Sequence, residues 1–258
     1  TAVRTGGWNK WVATRLLGNT ELLRPNLTNA GVSYTHWGLD EQYGFRHTSF
    51  CASNSIVDYT FRRAPGFMDI VTYTGDGTYD GSYEVNHSLG VAPEMIITKN
   101  RDSSNYWVTY HTGLTSDTYQ IHLDRDSGQT ANGQSWSPTA DTFDPQYAGN
   151  SNYSSNHSDE NYIAYLFATL PGISKVGSYT GTGNDIDVDC GFTSGARFVM
   201  VKRTDDNGDW YVWDTERGIT AGDDPYVLMN TDDAEVTNQN DIGPYNSGFT
   251  ITDDAVDA

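Results

Sequence analysis

The feature that most constrains this chain is that it repeats itself. Tyr73-Thr74-Gly75-Asp76-Gly77 recurs as Tyr179-Thr180-Gly181-Thr182-Gly183, 106 positions later. Each block follows an apolar start, Phe67-Met68-Asp69-Ile70-Val71 in one case and Ile173-Ser174-Lys175-Val176-Gly177 in the other. Met95-Ile96-Ile97-Thr98-Lys99 matches Phe198-Val199-Met200-Val201-Lys202 at an offset of 103. Tyr106-Trp107-Val108 matches Trp210-Tyr211-Val212 at 104, and Phe143 matches Phe249 at 106. Offsets that drift so little mean small loop insertions on one scaffold, and such periodicity has to be settled before any motif is weighed.

The first 66 residues fit the same scheme. Trp11-Val12 corresponds to Tyr211-Val212, Asn26-Leu27-Thr28-Asn29-Ala30 to Asn230-Thr231-Asp232-Asp233-Ala234, and Gly44-Phe45 to Gly248-Phe249. Ile56-Val57-Asp58-Tyr59-Thr60-Phe61 corresponds to Tyr162-Ile163-Ala164-Tyr165-Leu166-Phe167, again at 106. Ala64-Pro65-Gly66 and Leu170-Pro171-Gly172 follow, and Pro-Gly there is a turn that punctuates the repeats. The expected organisation is the C-terminal part of a first repeat over 1–66, a complete second over 67–172 and the N-terminal part of a third over 173–258. Both ends fall inside a unit. The expectation is therefore either a piece of a longer array or a neighbouring subunit that supplies the third copy's missing strand.

Composition says what each unit is made of. Of the 34 acidic residues 27 are Asp, which favours turns over helix interiors, and the chain carries 26 Gly and 17 Tyr. Within the second repeat, strands are expected at Phe67–Thr74, Met95–Thr98, Tyr106–Tyr110, Tyr119–Leu123, Asp141–Phe143 and Tyr162–Ala168. Arg101–Asn105 is a polar hairpin loop, and Tyr162–Ala168 is apolar throughout, as for a central strand buried on both faces. The expected fold is all-β, with tandem β-sandwich (jelly-roll-like) repeats of about 106 residues. An aromatic fraction of 13% argues against disorder.

Charge removes some partners. Fifteen Lys and Arg against 34 acids give a net charge of −19, too few cations for a basic face on nucleic acid or an anionic membrane. No apolar run approaches the ~20 residues of a membrane span.

Catalytic motifs are absent. His36, His47, His87, His111, His122 and His157 show no metal spacing, and no GxSxG elbow or Cys-His pair announces a nucleophile. His87-Ser88-Leu89-Gly90 has Cys190-Gly191-Phe192 at its counterpart, so it reads as a loop entering a strand. Cys51 and Cys190 lie outside any CxxC and read as two separate thiols rather than a disulfide. Two acidic clusters resemble calcium sites: alternating Asp185, Asp187 and Asp189, and Asp205-Asp206-Asn207-Gly208-Asp209 with Glu216 at the twelfth position. The second has Trp210 where a calcium loop has its turn glycine, so a hairpin loop competes with a cation site. Trp8, Trp11, Trp107, Trp136, Trp210 and Trp213 are candidates for stacking on sugars, but most sit at repeating strand positions that suit a core. Asn26-Leu27-Thr28, Asn86-His87-Ser88 and Asn152-Tyr153-Ser154 match the glycosylation pattern. No catalytic, cofactor or metal residue is assigned, and no cofactor is expected.

The blocks Thr60-Phe61-Arg62-Arg63-Ala64-Pro65, Val71-Thr72-Tyr73-Thr74-Gly75, His87-Ser88-Leu89-Gly90, Met95-Ile96-Ile97-Thr98-Lys99, Asn161-Tyr162-Ile163-Ala164-Tyr165-Leu166-Phe167-Ala168 and Gly177-Ser178-Tyr179-Thr180-Gly181 together resemble a tandem domain of unassigned role. That domain is found in virion and tail-fibre-like proteins of marine bacteriophages, especially those infecting cyanobacteria. The resemblance covers residues 56–258 and, more loosely, 1–55, with a departure around Trp37–Tyr43. It implies a non-enzymatic virion structural protein of the particle surface, a tail fibre or host-facing appendage in which stacked units form a stiff rod or knob. Its implied partners are other virion proteins, further copies of itself (fibres of this kind are often homotrimers) and a host-surface glycan or protein. A capsid-decorating or head-fibre protein and a lectin-like or glycan-hydrolysing module are the alternatives.

Overall fold

The computed structural model describes residues 2–4, 9–34, 37–39, 46–47, 56–149 and 151–255. Among these the chain is all-β, and every strand pairing is antiparallel. The first stretch contributes β1 (Ala2–Arg4), β2 (Glu21–Leu22), β3 (Val32–Ser33), β4 (Trp37–Gly38), β5 (Arg46–His47) and β6 (Ile56–Asp58). The middle stretch contributes β7 (Met68–Thr74), β8 (Val85–Asn86), β9 (Met95–Asn100), β10 (Val108–His111), β11 (Tyr119–His122), β12 (Thr130–Ala131), β13 (Thr142–Phe143) and β14 (Asn161–Phe167). The last contributes β15 (Ile186–Asp189), β16 (Phe198–Lys202), β17 (Trp210–Asp214), β18 (Tyr226–Leu228), β19 (Ile242–Tyr245) and β20 (Gly248–Ile251).

The middle stretch holds the largest sheet, ordered β12-β11-β10-β9-β14-β7. Its hub is β14, paired with β7 on one side and β9 on the other, which is why that segment is apolar at nearly every position. Side chains alternate between the faces. Tyr162, Ala164 and Leu166 join Trp136 and Phe143 in one core, roofed by the small β8–β13 sheet. Ile163 and Tyr165 join Ile97, Trp107 and Ile121 in another. A sheet packed on both faces, with a smaller sheet over one of them, fits the expected sandwich. The last stretch has two three-stranded sheets, β16-β17-β18 and β15-β20-β19, closed over Val199, Trp213, Ile242 and Phe249.

Registers in the three stretches agree in detail. Val85 pairs with Phe143 and Val188 with Phe249. Met95 pairs with His111 and Phe198 with Asp214, so β10 and β17 correspond at an offset of 103, like β9 and β16. This corrects the offset of 104 read from the sequence: Trp107 corresponds to Trp210 and Val108 to Tyr211. The backbone N–H of Trp107 donates to Asp124 Oδ1, that of Trp210 to Asn230 Oδ1 and that of Lys10 to Asn26 Oδ1. The pairs Val12–Leu23, Thr109–Ile121 and Val212–Val227 sit at matching places. So do Leu22–Val32, Gln120–Thr130 and Tyr226–Val236. Gly44, Phe45 and Cys51 lie outside the described residues, as do Trp8 and His36.

Each stretch also grips a neighbour with a buried donor. Trp107 Nε1 donates to the carbonyls of Arg24 and Leu27 in the first stretch, at 2.9 and 3.2 Å. Trp210 Nε1 donates to His122 O of the middle stretch at 2.8 Å. Lys10, at the same register position, sends Nζ to Asp233 O of the last stretch at 2.9 Å. Lys99 and Lys202 add parallel bonds to Thr28 O and Asp126 O. First touches middle, middle touches last, and last touches first. The shared core draws Leu23, Trp107, Ile121, Tyr165, Trp210 and Val227 from all three. The three contacts thus close on one another.

Candidate binding surfaces

Outside the packed joints, three loops of the middle stretch meet at one end of its sheet: those after β7, after β12 and after β13. Gly75 allows the first contact, since a Cβ there would lie 2.2 Å from His157 O. Asp76 then organises the turn. Its Oδ1 accepts from Thr78 N at 2.9 Å, Thr78 Oγ1 at 2.8 Å and the buried Asn156 Nδ2 at 3.0 Å. These bonds hold its carboxyl below the usual range against the opposing effect of burial. Gln134 bridges the loops, donating to Tyr79 O and accepting from Tyr147 N, both at 2.6 Å. Gln146 accepts from Asn132 at 3.2 Å. A recess of about 10 Å³, room for one water, lies between Thr78, Tyr83, Gln134, Asp144, Gln146 and Asn156.

Tyr79 stands beside this recess, 60% exposed, with its ring 6.5 Å from Tyr147 in an edge-to-face pair. An exposed phenol beside amide and carboxylate groups can stack on a sugar ring while the polar rim bonds its hydroxyls. Sequence reasoning looked for this role among tryptophans. Trp11, Trp107, Trp136, Trp210 and Trp213 are all buried, so none of them stacks on a ligand. The signal for Tyr79 was available: it lies in Gly77-Thr78-Tyr79-Asp80-Gly81, a turn-forming run in which an aromatic has no strand to pack.

A second depression, of about 330 Å³, lies on the last stretch, lined by Asp185, Asn240, Gly243, Thr250, Thr252 and Asp253 among others. One expected calcium cluster sits at its edge. Each of its carboxylates already serves the backbone or a neighbour: Asp185 Oδ1 accepts from Asp253 N, Asp187 Oδ1 from Thr250 Oγ1 and Asp189 Oδ1 from Gly191 N. No group of three or more acidic, His or Cys side chains able to hold a metal occurs among the described residues. Burial, then Asp224 and Asp254, raises the Asp241 carboxyl to about 6.

The other calcium candidate is a hairpin loop. Asp205 and Asp206 pair with Arg203, a cation the chain itself supplies. Asp209 Oδ1 accepts from Asn230, and Glu216 lies past the far end of β17. Five strand residues span about 16 Å, so Glu216 cannot meet Asp205 around one ion.

The remaining candidates resolve simply. His87 is buried, accepts from Leu89 N and enters a loop, and burial lowers its pKa. Cys190 is a free, half-buried thiol whose pKa burial raises. Asn26 is buried and bonded to Lys10 and Asn9, so it is no glycan acceptor, whereas Asn86 and Asn152 are exposed.

The domain of unknown function DUF7483 matches residues 58–257. The chain belongs to this family. No curated protein and no solved structure matches the chain. The DUF7483 match begins at Asp58, the last residue of β6, and includes both the tyrosine-flanked recess and the acidic depression.

Proposed function

We propose that this DUF7483 chain is a non-enzymatic structural protein of a phage virion, borne on a tail fibre or another host-facing appendage and used for attachment to the cell surface. The observation that carries the reading is the mutual grip of the three stretches through Lys10, Trp107 and Trp210. We infer from the matching registers that these stretches are copies of one β unit. Closed round a common core, they make a stiff base, and the loops around Tyr79 project from it. The sequence resemblance to virion proteins points the same way. Antibody labelling of phage particles, read by negative-stain electron microscopy, tests the placement. Label on tail appendages is the expected result; label over heads would make this a decoration protein, and label on no particle would end the virion reading.

Tyr79 and its polar rim favour a specific mode of attachment, lectin-like binding of a surface glycan. A glycan array probed with the wild type and with Tyr79→Ala tests it. Binding that Tyr79→Ala abolishes, with an unchanged melting temperature, is expected.

A further inference from the structure

β16 is an edge strand. It pairs with β17 alone, whereas its counterpart β9 lies between β10 and β14. Thr215 N donates to Arg197 O, which sets the phase of the β16–β17 ladder. In an antiparallel pair alternate residues exchange bonds, so Val199 and Val201 face β17. The N–H and C=O groups of Phe198, Met200 and Lys202 point the other way, with no strand partner among the described residues. At the matching positions Met95, Ile97 and Lys99 bond to β14.

β14 is held on its far side by β7, Met68–Thr74. The matching segment, 174–180, is not a strand, and Ile173 before it is 64% exposed. Its counterpart Phe67 packs against the shared core and accepts from Ala168 N, just past β14. Aromatic contacts repeat the pattern. Phe61 and Phe167, 106 apart in sequence, meet at 6.2 Å, and Phe61 also touches Phe198 at 5.7 Å. Tyr165 of β14 stacks over Trp107 at 6.3 Å. Among the described residues no aromatic ring stacks over Trp210 in this way, although its indole lies in the same shared core as that of Trp107.

We propose that the β16 edge is a strand-acceptor site, filled by an extended segment of a partner chain that runs antiparallel to β16 and to 174–180. The chemistry of the occupant follows from β14, whose Tyr165 and Phe167 have Tyr59 and Phe61 as their counterparts 106 positions earlier. The segment has about six or seven residues, uncharged and apolar on both faces. It carries Tyr and Phe two apart, to meet Trp210 and the Phe61–Phe198 pair. Main-chain bonds to Phe198, Met200 and Lys202 would supply affinity, and the aromatic positions register. An exposed edge of this kind is otherwise a liability that folded chains cover or blunt.

A fluorescent synthetic peptide with the sequence of residues 160–169, titrated with the full chain and read by anisotropy, tests this. Saturable binding is expected, with none for a scrambled peptide of the same composition. Met200→Pro is the decisive variant. It removes an N–H that points away from β17, which an edge strand tolerates. It should keep the wild-type circular dichroism and lose the peptide, whereas Val201→Thr, on the other face, should keep both. Failure of the folded wild type to bind, or equal binding of the scrambled peptide, would overturn the proposal. So would a concentration-dependent dimer in light scattering that Met200→Pro abolishes, because the edge would then pair with a second copy of itself.

Discussion

Individual side chains at the joints carry unequal burdens, and the tryptophans carry the largest. Trp107 and Trp210 each bury a large ring and satisfy a carbonyl of a neighbouring stretch. Trp210→Ala is expected to cost about 3–5 kcal/mol, read as a lowered urea midpoint. A buried acid and a buried base near the first of these joints make opposing contributions to pH dependence. Burial raises the Asp124 carboxyl to about 6 from an ordinary 3.8. The folded chain therefore holds a proton that the unfolded chain releases, and stability falls as pH rises between about 4 and 6. Burial, aided by Arg125 and Lys202, lowers the His122 imidazole to about 3 from 6.5. Here the folded chain refuses a proton that the unfolded chain takes, and stability rises with pH between about 3 and 6.5. The two slopes oppose each other where their ranges overlap, between about pH 4 and 6. Asp124→Asn removes one downward slope, so its urea midpoint should climb relative to the wild type's from pH 4 to 6, and His122→Gln should fall relative to the wild type's over the same range. Parallel curves for wild type and Asp124→Asn would contradict this account.

Elements that are long and apolar were legible in the sequence, and of the two-residue strands of the middle stretch only β13 was, through Phe143. β7, β9, β11 and β14 appear within a residue or two of their expected bounds because each carries a strand-length apolar or alternating run. β10 begins at Val108 rather than Tyr106, since the Trp107 N–H goes to the Asp124 carboxylate and not to a neighbouring strand. β8 and β12 have two residues each, too few to show any periodicity. The recess beside Tyr79 was illegible for a related reason: three loops distant in sequence build it, and Gln134, Asn156 and Asp76 have no common spacing. Glycines show how far matched elements can differ. Gly75 and Gly181 correspond at 106, yet a Cβ at Gly75 would lie 2.2 Å from His157 O and one at Gly181 would meet nothing within 4 Å. Gly75→Ala should lower stability by about 1–3 kcal/mol and Gly181→Ala should leave it within about 0.5 kcal/mol, measured by thermal melts.

For the molecule as a whole, the tie between first and last stretches decides how it unfolds. Tyr59 donates to Asp214 Oδ2 at 2.6 Å, and Arg217 binds Tyr59, Asp214 and, at 2.6 Å, Glu235. Arg217 and Asp214 are nearly inaccessible to solvent, so removing one charge strands the other. Arg217→Met is expected to cost about 3–5 kcal/mol, and adding Asp214→Asn should recover part of that loss in a double-mutant cycle. Because one core is shared by all three stretches, calorimetry should show one cooperative transition rather than three. The same closure has a consequence for symmetry. The middle stretch carries both halves of the joint, the Trp107 indole that reaches back to the first stretch and the His122 carbonyl that receives Trp210 of the last. Such a head-to-tail contact, repeated with a rotation of one third of a turn, returns to its start after three copies. On the proposal that the three stretches are copies of one unit, a polypeptide of residues 67–172 alone should therefore assemble as a cyclic trimer in light scattering.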